Sequence, residues 1–323
     1  MTANAANAVS LVADIGGTNT RVALARGAVI LPETVDRFVN AEYSGLGDVL
    51  RRYLAAHGNV DCVGACVAVA GPVRDGCATL TNLDWTINRD TLTTATRATK
   101  VSILNDLQAQ GHALDHLDPT NLRSVLPGHD AGPHAAKLVI GVGTGFNAAP
   151  VYNTETGRYV PPAEAGHTNL PIRTDDDLRL SRFVQAASGF PAIEDVLSGR
   201  GITRVYSWLS SEAGAQRDLP PSQIMQALAD GSDPLAHETG RVITRMLGTV
   251  TGNLALNTLP FGGIYLVGGV SRAITPYLAQ FAFGTAFRDK GRFGDFMDQF
   301  AVSVVEDDFA ALSGCACHLD GLA

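Results

Sequence analysis

One short pattern occurs twice in this chain, and it constrains the fold more than any other feature. An apolar run, a turn rich in glycine and threonine, and a second apolar run fill residues 11–25, LVADIGGTNTRVALA, and again residues 138–152, LVIGVGTGFNAAPVY. In the first copy we predict a β-hairpin with strands at residues 10–14 and 21–25. Two similar halves that face each other across a cleft would explain the repeat.

Strands and helices alternate along the rest of the chain, which predicts an α/β fold with a parallel or mixed sheet in each half. Apolar spacing places helices at residues 46–56, 106–114 and 234–259, and buried strands at residues 62–70, 101–105, 138–142, 148–152 and 264–267. Asp233 is the expected N-cap of the long helix that begins at Pro234. The boundary between the halves is predicted just after Asp106, where a strand meets a helix.

Composition limits the compartment and the partners. A chain of 323 residues is too long for one small core, so two domains, or one domain with two lobes, are expected. The net charge of −8 and the lack of a Lys/Arg run disfavour nucleic acid and anionic membranes as partners. No apolar run reaches the roughly twenty residues of a membrane span, and MTANAANAVS does not resemble a signal peptide.

The five cysteines are odd in number and irregularly spaced, which predicts reduced thiols and a cytoplasmic protein. Cys315, Cys317 and His318 could bind a metal ion, but no second ligand pair with zinc-finger spacing accompanies them.

The first turn has the composition of a phosphate loop. Gly16 and Gly17 let the backbone approach a ligand closely and let successive N–H groups point toward an anion. Thr18 adds a hydroxyl and Arg21 a cation, while Asp14 at the end of the strand can hold Mg²⁺ directly or through water. The alternative is a tight hairpin with an acid that faces solvent.

Two familiar nucleotide-binding motifs are excluded by the sequence. The chain has no G-x-x-x-x-G-K-[ST] segment, so it lacks a Walker loop. GVGTGF has Phe146 in place of the third glycine of a dinucleotide fingerprint, and the following residues predict a strand instead of a helix. Two separate Gly/Thr hairpins are better suited to holding the two ends of a triphosphate than either of those motifs.

Three further segments carry groups suited to a hydroxylated substrate. Asn105 and Asp106 follow a buried strand, where Asp106 could accept the proton of an attacking hydroxyl or could simply cap the next helix. Glu164 and His167 lie in PPAEAGHTNL, and Glu194 precedes a glycine turn. Glu, His and Asn supply the acceptors and donors that a polyol requires, although His167 could also be a loop residue bonded to backbone.

Nine segments of the chain resemble, in order, the bacterial glucokinases of the hexokinase/actin-like ATPase superfamily, from Leu11 to about Ala316. The segments are DIGGTNTR, AGPV, TNLDW, LNDLQAQ, GVGTGFN, AEAGH, IEDVLSGRG, LVGGVS and DDFAALSG. The resemblance implies a two-domain actin-like (ribonuclease H-like) α/β fold with an interdomain cleft. It assigns residues 1–107 plus about 308–323 to a small domain and 108–307 to a large one. It also implies ATP-dependent phosphorylation of glucose at its 6-hydroxyl, with ATP and Mg²⁺ as cofactors, and a homodimer.

The resemblance also assigns roles residue by residue. Asp106 is the implied base. The implied sugar ligands are Asn105, Asp106, Glu164, His167 and Glu194. The implied nucleotide-binding residues are Asp14, Gly16, Gly17, Thr18, Asn19, Gly143, Thr144, Gly145, Gly268 and Gly269, with Asp14 near the metal. In this chain the G-T-G-L-G of the second loop reads GTGFN, so Asn147 adds a side chain where phosphate would approach.

Two alternatives stay open at this point. The same polar residues would serve another hexose or an amino sugar. Actin-like folds also host proteins without turnover, so a regulator that binds sugar or nucleotide is the second alternative. The cysteine cluster of the related repressor/ORF/kinase (ROK) group is missing after His167, which disfavours that group.

Overall fold

The computed structural model describes residues 8–80, 83–155 and 157–322. Thr81 and Asn82 of the TNLDW segment, and most of MTANAANAVS, lie outside the described residues. The strands, numbered in chain order, are β1 (Val9–Ile15), β2 (Asn19–Arg26), β3 (Val29–Ile30), β4 (Asp36–Val39), β5 (Cys62–Val69), β6 (Val73–Arg74), β7 (Cys77–Thr79), β8 (Thr86–Asn88), β9 (Lys100–Asn105), β10 (Leu122–Leu126), β11 (Lys137–Val142), β12 (Phe146–Thr154), β13 (Gly157–Tyr159), β14 (Ile264–Val267) and β15 (Val302–Val305).

The helices follow the same numbering, and several of them match the sequence-based ranges closely. They are α1 (Leu46–Ala56), α2 (Arg89–Thr96), α3 (Asp106–Ala113), α4 (Asp175–Ser188), α5 (Gly199–Glu212), α6 (Pro221–Asp230), α7 (Pro234–Thr258), α8 (Gly269–Ile274), α9 (Phe283–Arg288) and α10 (Ala310–Asp320). Apolar spacing therefore located α1, α3 and α7 to within one residue at each end.

The chain forms two compact units. The first contains residues up to 118, residues 154–162 and those from 307 onward, and the second contains residues 119–153 and 163–306. Helix α3 belongs to the first unit, because it packs against α10. Residues 154–162 join the same unit, since Gln108 donates to the Val160 carbonyl at 2.7 Å and Arg158 donates to the His112 carbonyl at 2.7 Å.

The main sheet of the first unit has the order β3-β2-β1-β5-β9, with β4 paired to β2. Strands β1 and β2 form the predicted antiparallel hairpin, and β1, β5 and β9 are parallel. Alternate side chains of β1 enter two cores: Leu11 and Ile15 pack in the core that includes α1, and Val12 packs in the core that includes α10. Burial of both faces explains the continuous apolar runs of β1 and β5.

The main sheet of the second unit runs in the order β10-β15-β14-β11-β12. Strands β11 and β12 form the second hairpin, and β11, β14 and β15 are parallel, so the internal repeat has the same local structure in both copies. Helix α7 packs in the core of this unit through Val242, Met246 and Val250. Its N-terminus is the predicted one, because the Asp233 side chain accepts a hydrogen bond from the Leu235 amide at 2.8 Å.

An ion pair inside the second unit makes its stability depend on pH. The Asp177 side chain is fully buried; it accepts from the Arg173 and Thr174 amides, each at 3.0 Å, and pairs with Arg245 of α7. Burial raises the pKa of Asp177, but the hydrogen bond and charge of Arg245 together with the bonds from Arg173 and Thr174 outweigh it, so the net pKa is lowered. A carboxyl whose folded pKa is lowered contributes stability above its unfolded pKa and loses it as pH falls through the folded pKa.

We therefore expect Arg245→Met to destabilise the second unit by roughly 3 kcal/mol at neutral pH, because it leaves a buried carboxylate without its cation. The loss should shrink toward acid pH, where Asp177 becomes neutral. Urea unfolding at several pH values measures this. Arg241→Met is the matched control on the same helix, because Arg241 pairs with Glu238 on the surface and its loss should cost less than about 1 kcal/mol. Equal losses in the two variants would contradict the assignment.

Candidate active site

The turn predicted to be the first phosphate loop is tight, and a buried asparagine fixes its shape. The Gly16 amide donates to the Asn19 carbonyl at 3.0 Å. Asn40, which is 1 % exposed, donates from its side chain to the Gly16 carbonyl at 2.8 Å and from its backbone to the Thr18 carbonyl at 2.9 Å. Its Oδ1 accepts from the Thr20 hydroxyl at 2.8 Å. Because its side chain and its backbone amide both form hydrogen bonds to residues of the hairpin, Asn40 holds the turn in one conformation.

The tip of this turn is open to solvent, and a charged pair lies at its base. Gly17 and Thr18 are exposed, and Asp14 is half-buried. Asp14 faces Arg21 across the hairpin, and Arg21 also donates to the Asp308 carbonyl at 2.8 Å. Burial raises the pKa of Asp14, and Arg21 partly offsets that effect. A nearby cation would therefore favour the ionised carboxylate.

The residues around Asp14 fit Mg²⁺ that is bound mainly through a nucleotide. Within residues 8–80, 83–155 and 157–322, no group of three or more His, Cys, Asp and Glu side chains is placed to hold a metal ion. Mg²⁺ does not need such a group, because it keeps several waters and binds through one or two carboxylates and substrate phosphates. The single carboxylate of Asp14 beside an exposed turn matches that requirement.

Asn105 and Asp106 lie where β9 ends and α3 begins, as predicted. Asn105 is the N-cap: its Oδ1 accepts from the Leu107 amide at 3.0 Å, and its backbone amide donates to Gln108 Oε1 at 3.0 Å. Its Nδ2 donates to the Gly71 carbonyl at 3.0 Å. Asp106 is the first helical residue and is half-buried, with Oδ1 accepting from the Leu107 amide at 2.8 Å. The cap is therefore formed chiefly by Asn105, which leaves the carboxylate of Asp106 beside it.

In the second unit, three predicted motifs converge on one turn. The Gly143 amide donates to the Gly145 carbonyl at 2.9 Å, and the Gly143 carbonyl accepts from Gly199 at the start of α5, at 2.8 Å. Gly268 has φ +98°, and a Cβ there would lie 2.5 Å from the Val142 carbonyl oxygen. Only glycine satisfies both conditions. The structure thus brings the predicted second phosphate loop and the Gly268–Gly269 pair together.

Space remains around the exposed parts of this turn. Thr144 is exposed at the tip. A Cβ at Gly143 or at Gly269 would meet no atom within 4 Å. Protein packing alone therefore does not require glycine at these two positions, and both leave room for a ligand to approach the backbone.

Glu194 joins the second loop to the predicted sugar residues. Its Oε2 accepts from the Phe146 amide at 3.0 Å, and its Oε1 accepts from Arg200 at 3.1 Å. A Cβ at Gly145 would lie 2.4 Å from Glu194 Oε2, so the carboxylate lies directly against the loop. Arg200, in the SGRG segment, was not singled out from the sequence, because an exposed arginine in a glycine turn has no distinctive signal.

Glu164 and His167 lie at an exposed turn of the same unit. Residues Ala165–His167 form one turn of 3₁₀ helix, and the side chains of Glu164 and His167 are exposed. Asn147, expected to project where phosphate approaches, instead bonds through its side chain to Ala163 and Ala165 of this segment. The side chain of Asn147 is therefore held by the segment that carries Glu164, because a side chain on a strand can reach the neighbouring loop as readily as its own turn.

This sequence resembles known proteins over almost its whole length. It matches the sequence profile of the family described as Glucokinase over residues 11–322. The chain belongs to the glucokinase family. It is 32% identical to the glucokinase of Neisseria meningitidis over 311 residues, which cover 96% of this chain and 94% of that protein. It is 31% identical to the glucokinase of Saccharophagus degradans over 316 residues, covering 97% and 98% of the two chains.

Glucokinase structures support the same assignment. The crystal structure of a glucokinase from an Antarctic psychrotroph superimposes with a TM-score of 0.85 at 30% identity, covering 96% of this chain and 98% of that one. Family membership confirms the predicted α/β fold and the predicted enzyme class, a hexose kinase. In the part of the chain that the structure describes, no helix has the length and apolar character of a membrane span.

Proposed function

We propose that this glucokinase-family protein transfers the γ-phosphoryl group of ATP to the 6-hydroxyl of D-glucose. The observation that carries the proposal is the family match, which spans every predicted site residue from Asp14 to Gly269. Support also comes from the second unit, where Glu194 of the sugar set accepts a hydrogen bond from Phe146, directly after the second phosphate loop.

The sugar side of the reaction uses groups that fix hydroxyls in direction. Glu164, His167 and Glu194 offer acceptors and donors of the kind that sugar hydroxyls require. Asn105 has one amide hydrogen beyond its bond to Gly71, so it can still donate to a hydroxyl. The oxygen of the glucose 6-hydroxyl attacks the γ-phosphorus while Asp106 accepts the proton of that hydroxyl. The bond between the γ-phosphorus and the bridging oxygen breaks, and ADP leaves.

The phosphate side uses backbone and one carboxylate. The backbone N–H groups of Gly17 and Thr18 in the first turn, and of Thr144 and Gly145 in the second, would face the charge that develops on the transferred group, which is the usual way such transfer is accelerated. When bound, Mg²⁺ would be held by Asp14 together with the nucleotide phosphates and would offset their negative charge. Arg21 keeps Asp14 closer to its ionised state.

We propose that the protein acts in the cytoplasm and that it is a homodimer. The location is supported by the substrate, since ATP is made and used there. The assembly is supported by the resemblance to bacterial glucokinases.

A coupled assay for glucose 6-phosphate tests the function. Purified protein with MgATP is offered D-glucose, and in parallel mannose, fructose, N-acetylglucosamine or no sugar. We expect turnover on glucose with kcat/KM at least about tenfold above the other sugars, because hydrogen-bonded hydroxyls discriminate strongly. Comparable kcat/KM values for another hexose would support the proposed mechanism but contradict the proposed preference for glucose. Sugar or nucleotide binding by calorimetry without any product would instead indicate a regulator.

A further inference from the structure

We propose that Asn147 is a positioning residue that holds the backbone on both sides of Glu164 and thereby sets the affinity of the site for the sugar. The inference rests on the proposed function, because it assigns Glu164 to sugar binding. Asn147 is the second residue of β12, two residues after the phosphate loop ends at Gly145. It is half-buried, and both the oxygen and the nitrogen of its side-chain amide form hydrogen bonds within the protein.

The bonds of Asn147 enclose Glu164 from both directions. Nδ2 donates to the Ala163 carbonyl at 2.5 Å, and Oδ1 accepts from the Ala165 amide at 2.9 Å. Oδ1 also accepts from the Ala148 amide at 2.8 Å, which fixes the amide plane. A single side chain thus bonds to the residue before Glu164 and to the residue after it. This pattern requires both the donor and the acceptor of an amide, which Asn provides.

Glu164 otherwise has little to hold its conformation. Its backbone has φ −130° and ψ 56°, outside the regular regions, and its side chain caps nothing at the turn that follows. Its carbonyl accepts from the His167 amide at 3.2 Å, a long bond. Because the side chain is exposed, the direction in which the carboxylate points depends on the backbone that carries it. Asn147 supplies that constraint.

The neighbouring residue of β12 reinforces the arrangement. The Phe146 amide donates to Glu194, and the Phe146 carbonyl lies so close to Gly166 that a Cβ there would be 2.0 Å from the oxygen. Two consecutive residues of one strand therefore position two predicted sugar carboxylates, Phe146 for Glu194 and Asn147 for Glu164. The glycine that is usual at this position in the glucokinase family has no side chain to bond to Ala163 and Ala165.

The test separates positioning from general stability through the two substrates. In Asn147→Ala we expect KM for glucose to rise by roughly 10- to 100-fold, the effect of losing two or three hydrogen bonds, while KM for ATP changes less than about twofold. Asn147→Asp retains the acceptor for Ala165 but places a carboxylate oxygen against the Ala163 carbonyl, so its KM for glucose should rise at least as much as in Asn147→Ala. Asn153→Ala is the matched control: Asn153 lies on the same strand and donates to the Pro133 carbonyl at an exposed position.

Hydrogen exchange at the Ala165 amide gives a second measurement that needs no substrate. Exchange should be faster in Asn147→Ala than in wild type and in Asn153→Ala. An unchanged KM for glucose in both Asn147 variants, or an equal rise in both KM values, would overturn the inference while wild-type turnover still upholds the function. If wild type does not phosphorylate glucose, the proposed function fails, and unchanged exchange at Ala165 would separately reject the role of Asn147.

Discussion

Replacing Asp106 by alanine is expected to lower kcat for glucose phosphorylation by roughly 10²- to 10⁴-fold, the usual contribution of a general base. Nucleotide binding should persist, because the phosphate loops at Gly16–Thr18 and Gly143–Gly145 are untouched. Initial rates and calorimetric titration with MgATP measure the two quantities. Asp106→Asn should show a similar loss in kcat, since it keeps the shape but cannot accept the proton.

The structure also predicts that these variants fold normally. The N-terminus of α3 is capped chiefly by Asn105 with Gln108, and both of those bonds stay in place when Asp106 is replaced. Asp90, an exposed acid in the first turn of α2, provides the matched control, and Asp90→Ala should leave kcat unchanged. Near-normal turnover in Asp106→Ala would remove Asp106 from the role of base.

The second large effect is expected at the contact between α3 and α10. A Cβ at Gly314 would lie 1.6 Å from the Ala109 carbonyl oxygen. This oxygen belongs to the backbone of α3, so it cannot move aside as the end of a flexible side chain could. Gly314→Ala should therefore force the two helices apart and destabilise the first unit by roughly 3 kcal/mol, at or beyond the upper end of ordinary overpacking. Activity should fall as well, because α3 begins with Asp106.

The two tryptophans make this measurable unit by unit. Trp85 is buried in the first unit and Trp208 in the second. In a Trp208→Phe background, urea unfolding followed by Trp85 fluorescence reports the first unit. Gly45→Ala is the control, because a Cβ at Gly45 meets nothing within 4 Å and its loss as N-cap should cost at most about 1 kcal/mol. Unfolding midpoints that coincide for Gly314→Ala and wild type would contradict the close contact.

The parts of this molecule that depend on local pattern could be predicted from sequence. Helix α1 begins and ends at the predicted residues because its apolar positions, among them Val49, Leu50 and Tyr53, recur with helical spacing and are all buried. The two hairpins follow from glycine turns between apolar runs, and Asp233 follows from the proline after it. Each of these depends on residues within a few positions of one another.

Contacts between distant segments could not be predicted. Asn40 fixes the first loop from more than twenty positions away, and nothing in its own neighbourhood marks it for that role. Glu194 was assigned to sugar alone, whereas its carboxylate also lies against Gly145 and Phe146. Asn147 was interpreted from its position in a loop motif, but the partner that decides its role, the segment Ala163–Ala165, becomes its neighbour only in the folded chain.

Direct transfer of a phosphoryl group from ATP to glucose can be followed with a label on the γ-phosphate. Wild-type protein is incubated with glucose, Mg²⁺ and ATP labelled on its γ-phosphate, and the products are separated. We predict labelled glucose 6-phosphate in equal amount to the ADP formed, with almost none from Asp106→Ala. Label released only as inorganic phosphate, or no ADP at all while glucose and ATP still bind, would contradict the account.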